Sequence, residues 1–110
     1  MELTYRNTNG THILELEGRF DAYEVPKLVE WFDANPEAKF VLVNLSGVGF
    51  IDSSGLATLV KGLKRCRNKG GDLYLSNLQQ AVLIIFELTR LDKAFTIFDE
   101  ETAALEALPN

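Results

Sequence analysis

At 110 residues the chain has room for one hydrophobic core and one domain. Its 46% hydrophobic and 25% charged residues suit an ordinary globular protein, and a formal charge of −5 argues against nucleic acid and anionic membranes, which both demand a basic face. No apolar stretch nears the roughly 18 residues of a membrane span, and Met1–Arg6 shows no secretory signal, so a cytoplasmic protein is expected.

Leu3 to Arg6 and His12 to Leu16 alternate apolar and polar residues around Thr8-Asn9-Gly10, the pattern of a hairpin. Val25, Leu28, Val29 and Phe32 fall at i, i+3, i+4 and i+7 and predict one apolar face of a first helix. Pro26 is comfortable only in a first turn, so that helix begins near Glu24 or Val25, and Asn35-Pro36 ends it. Phe40 to Leu45 is nearly all apolar, as expected of a central strand covered on both faces.

Leu56, Leu59, Val60 and Leu63 repeat the helical spacing until Gly70-Gly71 closes a second helix. Lys61, Lys64, Arg65, Arg67 and Lys69 crowd its C-terminal end, where cations complement the helix dipole. Leu73-Tyr74-Leu75 reads as a short strand, Leu78 to Leu88 as a third helix, and Ala94 to Phe98 as an edge strand. Asp99 to Ala107 reads as a terminal helix capped by Asp99, with Glu100 and Glu101 in its first turn. Strands alternating with helices imply right-handed crossovers. The expected fold is therefore α/β: a mostly parallel sheet of about five strands with an N-terminal hairpin, flanked by about four helices, in one domain over residues 1–110.

The chemistry-bearing residues are few. Cys66 is the only cysteine, so no intrachain disulfide forms, and a packing role is expected. His12 is the only histidine; alone it makes no zinc site, and a strand-start surface position is expected. The most informative segment is Phe50-Ile51-Asp52-Ser53-Ser54-Gly55-Leu56, where a strand gives way to a helix. A helix start offers unpaired N–H groups and the positive end of the dipole, so a serine there is either a cap or an addressable phosphate acceptor. A catalytic serine would need a base, and the single histidine lies in a different strand; no phosphate loop or dinucleotide fingerprint is present. Asp21 and Asp52 are expected near the sheet's C-terminal edge, where two acids together raise magnesium, but Asp at a helix start is more often a cap. No enzyme activity, cofactor or metal is expected.

Leu45-Ser46-Gly47-Val48, the Asp52-Ser53-Ser54-Gly55-Leu56 segment, Gly70-Gly71 and Leu88-Thr89-Arg90-Leu91-Asp92, with Gly18-Arg19-Phe20-Asp21 upstream, together resemble the STAS domain of bacterial anti-sigma factor antagonists. The likeness covers essentially the whole chain. It implies that Ser53 is phosphorylated by a serine kinase that also serves as the anti-sigma factor, and that a PP2C-type phosphatase reverses this. The unphosphorylated form would bind the kinase and free the sigma factor, so that the chain regulates sigma-dependent transcription. By the same resemblance Asp21 and Asp52 flank the acceptor on the docking surface, which Ser54, Gly55 and Leu56 complete at the helix start. A non-phosphorylated STAS scaffold or accessory module of a transport or signalling complex is the rival expectation, and a homodimer stays open.

Two departures from the family pattern stand out. Arg90 takes the place of a glycine after a helix, where a left-handed cap would be strained or replaced. Val82 to Phe86 is an unbroken apolar run, and a helix cannot bury five consecutive side chains. Leu83 or Ile84 should therefore lie partly exposed and is a candidate secondary contact.

Overall fold

The computed structural model describes residues 1–109 and contains a five-stranded sheet with strands in the order in which they occur along the chain. The elements are β1 (Glu2–Thr8), β2 (Thr11–Phe20), α1 (Val25–Ala34), β3 (Phe40–Ile51), α2 (Ser53–Asn68), β4 (Asp72–Ser76), α3 (Gln80–Leu88), a 3₁₀ turn (Leu91–Lys93), β5 (Thr96–Phe98) and α4 (Glu101–Ala107). β1 and β2 pair antiparallel through an Asn9-Gly10 turn, and every later neighbour pair is parallel.

Three right-handed crossovers that all step in one direction must leave their helices on one face. Accordingly α1, α2 and α3 share a core with Leu14, Leu16, Val41, Val43, Leu45, Leu73 and Leu75. The opposite face, Ile13 and Leu42 flanked by Phe40, Tyr74 and Phe98, is covered by Ala104 of α4, by Leu105 and by the adjoining Leu108. Each face uses alternate residues of the same strands, which explains why β3 begins as a nearly unbroken apolar run.

Several expectations are corrected by tertiary packing. β2 and β3 are longer than their apolar cores, because Glu17 to Phe20 pairs with Gly47 to Ile51 across register shifts. The face of α1 is set by Leu28, Trp31 and Phe32; Val29 is 40% exposed. Trp31 turns inward because Tyr5 and His12 offer it aromatic partners at 5.6 Å each. His12 is correspondingly half-buried, and its Nδ1 lies 2.9 Å from the Tyr5 hydroxyl. The third helix starts at Gln80 and not at Leu78, with the Gln79 amide donating to the Ser46 carbonyl at 2.8 Å. Ala94 and Phe95 precede β5, which is confined to three residues.

Asp99 does not cap α4. Glu100 occupies the cap position without a side-chain hydrogen bond, and the Glu101 carboxylate instead receives the Arg6 guanidinium at 2.8 and 2.9 Å and the Asn44 amide at 3.1 Å. Arg90 adopts the left-handed conformation, φ 64°, that a glycine would take without steric cost. Cys66 is fully buried, and burial pushes its thiol up to about 11, so it packs as a small apolar side chain. Among the described residues, no helix is long and apolar enough to cross a membrane.

Candidate functional site

The C-terminal ends of β2 and β3 lie side by side, Phe20 opposite Ile51, so the segments that follow them leave the sheet together. The Asp52 backbone N–H donates to the Phe20 carbonyl at 3.2 Å and extends the pairing by one residue. Its carboxylate then does two things. One oxygen accepts the Gly55 N–H at 3.0 Å and caps α2, while the other accepts the Ala22 N–H at 3.1 Å and fixes the loop between β2 and α1.

Asp21 organises that loop. Its carbonyl accepts the Glu24 and Val25 N–H groups at 3.0 Å each, and its carboxylate accepts the Tyr23 N–H at 3.1 Å. The same carboxylate lies 3.5 Å from the Arg19 guanidinium, which stacks 4.0 Å above the Phe50 ring. Two acids and one cation thus surround the helix start.

Since Asp52 is the cap, Ser53 is the first residue of α2 and its hydroxyl is not needed there. That side chain is exposed and makes no hydrogen bond among the described residues. Ser54 is half-buried; its carbonyl accepts the Thr58 hydroxyl at 2.8 Å. Gly55 and Leu56 are buried, so they set the height of the helix start and have no side chain to present on its surface. A Cβ on Gly55 would stand 2.6 Å from the Phe20 carbonyl oxygen and 2.8 Å from Ile51, which is why α2 can sit this close to the strand ends only with glycine there.

The expected site residues are therefore brought together around one helix start, with Asp21, Asp52, Ser53 and Ser54 at the surface or partly so. Leu83 and Ile84 lie on α3, half-buried and 41% exposed respectively, and Leu88 at the end of that helix is 75% exposed. Three residues near the helix start were not singled out from sequence. Tyr23 is 92% exposed in the loop that Asp52 holds, and Phe50 with Arg19 forms a stacked pair beside it. Arg19 and Phe50 appeared in the sequence only as members of the flanking motifs, and Tyr23 lies outside them. Among the described residues no three His, Cys, Asp or Glu side chains converge to hold a metal ion.

The sequence signature of the STAS domain matches residues 2–104. The chain belongs to the STAS family. This STAS domain is 29% identical over 103 residues to the anti-sigma-B factor antagonist of Listeria monocytogenes, an alignment spanning 92% of this chain and 90% of that protein. Among solved structures it is similar to a candidate anti-sigma factor antagonist from Thermotoga maritima, with a TM-score of 0.91, 27% identity, and coverage of 96% of this chain and 93% of that one. The Bacillus protein SpoIIAA shares the fold in both its unphosphorylated and phosphorylated forms. Each gives a TM-score of 0.76 over 96% of this chain, covering 96% and 97% of theirs, at 17% and 18% identity, a likeness of fold alone.

Proposed function

We propose that this STAS domain is an anti-sigma factor antagonist of the cytoplasm, a binding regulator and not a catalyst. In this reading its unmodified form binds an anti-sigma factor serine kinase, phosphorylation of Ser53 releases it, and a PP2C-type phosphatase restores it. The observation that carries the reading is the exposed, unengaged Ser53 hydroxyl at a helix start whose cap is supplied by its neighbour Asp52. A kinase can reach that hydroxyl without opening the fold, and modifying it removes no native hydrogen bond. The names and full-length coverage of the relatives point the same way.

A phosphate brings about −1.5 to −2 charges and three acceptor oxygens. The α2 dipole and N–H groups attract it, while Asp52 and Asp21 repel it, so the local terms oppose one another. The modification would act instead across an interface, by placing bulk and charge on a surface fitted to a neutral hydroxyl. Asp21, Asp52 and Ser54 would border the interface, with Gly55 and Leu56 shaping it from beneath and Leu83 and Ile84 forming a secondary contact.

The test uses the cognate anti-sigma factor serine kinase, with ATP. One phosphate should be added to the intact protein, and Ser53→Ala should abolish it. The Ala variant should keep kinase binding, Ser53→Asp should weaken it, and the Asp variant should stay within about 1 kcal/mol of wild-type stability because the cap is elsewhere. Equal binding by both variants, or phosphate on another residue, would leave the accessory-module reading standing.

A further inference from the structure

A second feature of α2 lies away from Ser53 and has no part in the phosphorylation switch. Between α1 and α2 the surface opens into an apolar cleft of about 330 Å³. Its floor is Val29 and Phe32 of α1 with Thr58 and Gly62 of α2, and its rim is Lys61, Lys64 and Arg65. Gly62 makes the cleft what it is: any Cβ there would stand 2.8 Å from the Phe32 ring, so the two helices meet at that point with the aromatic edge lying against bare backbone. The exposure of Val29, whose i+3/i+4 spacing alone would bury it, follows from lying at this opening.

The rim is unusual for this chain. α2 carries Lys61, Lys64, Arg65 and Arg67 and no acid at all, within a protein of net charge −5. Arg65 is occupied, donating to Asp33 and to the Phe32 carbonyl at 3.0 Å each, so it braces the wall. Lys61 and Lys64 are exposed and make no ion pair among the described residues. An apolar floor of ligand-sized volume, beginning at about 300 Å³, with two uncommitted ammonium groups at its mouth is complementary to one chemistry. We infer that the α1–α2 cleft binds a small organic anion with an apolar body, a medium-chain or aromatic carboxylate whose tail lies on Val29, Phe32 and Gly62 and whose head pairs with Lys61 and Lys64. This site stands whether or not Ser53 is modified.

The probe is sodium octanoate, titrated into the ¹⁵N-labelled intact chain and followed by amide chemical shifts. Saturable shifts should cluster at Val29, Phe32, Thr58, Gly62 and Arg65, with a Kd of about 1 mM or tighter. Octan-1-ol, which keeps the tail and loses the charge, should bind about fivefold more weakly. Lys61→Glu with Lys64→Glu should weaken octanoate by at least that factor and leave octanol unchanged, and Val29→Asp should abolish both. These three residues are exposed, so the variants keep the core intact. Non-saturating shifts, shifts centred elsewhere, or equal affinity for acid and alcohol would each overturn the assignment.

Discussion

The starts of α2 and α4 look alike in sequence and are built differently. Both follow a strand and both place acids at the boundary, Asp52 before one, and Asp99 and Glu100 before the other with Glu101 opening it. At α2 the acid acts locally: Asp52 caps the helix through Gly55 three residues on, and only its second oxygen reaches across the fold, to Ala22. At α4 no acid caps. Glu101 is drawn to Arg6 of β1 and Asn44 of β3, and the helix is pinned to the sheet by partners 95 and 57 residues away. The difference follows from what each helix covers. α2 lies over the main core, held along its length by Leu56, Leu59, Leu63 and Cys66, so its first turn is free to present Ser53. α4 has seven residues and a smaller apolar footprint, so its first turn is used as an anchor.

The strongest way to break this comparison is to crowd the α2 start. Gly55→Ala should cost about 2 to 3 kcal/mol in urea unfolding, because the added methyl meets the Phe20 carbonyl and Ile51 and one side must shift. A cost below about 0.5 kcal/mol would mean that α2 does not depend on that close approach. Asp52→Ala should follow at about 2 kcal/mol, a lost cap plus the Ala22 N–H left without its partner. It should also raise hydrogen-exchange rates in the 21–24 loop, which a pure helix cap would not.

At α4 the expected effects are smaller and of a different kind. Glu101→Ala should cost about 1 to 2 kcal/mol, part of it from the Asn44 amide, which is buried and would lose its acceptor. Arg6→Ala should cost less than about 1 kcal/mol, since the guanidinium is half-exposed and can turn to water. The double-mutant cycle should show coupling of about 0.5 to 1 kcal/mol. Additive single effects would make the α4 start independent of β1 and remove the contrast. The smallest change is a gain: Arg90→Gly should stabilise by about 0.5 to 1 kcal/mol, relieving the left-handed backbone after α3 while giving back some chain entropy. Unchanged or lower melting temperature would show that the arginine side chain compensates.

The candidate site was largely legible because its signals are short-range. Asp-Ser-Ser-Gly-Leu sits at a strand-to-helix junction, and a cap, a glycine and a hydroxyl are each defined by neighbours within four residues. Tyr23 was not legible, since its exposure depends on where Asp52 holds the 21–24 loop. Nor was the α1–α2 cleft, because periodicity placed Val29 on the buried face, whereas Leu28, Trp31 and Phe32 form that face and Val29 is 40% exposed.

What the sequence by itself determined was the alternation of strands and helices, the parallel sheet behind a hairpin, and the position of Ser53 at a helix start. Those follow from hydrophobic period and turn chemistry, which are local. Only the tertiary structure decided which face α1 buries, how far β2 and β3 run past their apolar cores, that three helices share one side of the sheet, and that Glu101 answers to Arg6 and Asn44. Each of these depends on a partner distant in the chain, and no pattern within a few residues can encode where such a partner will be.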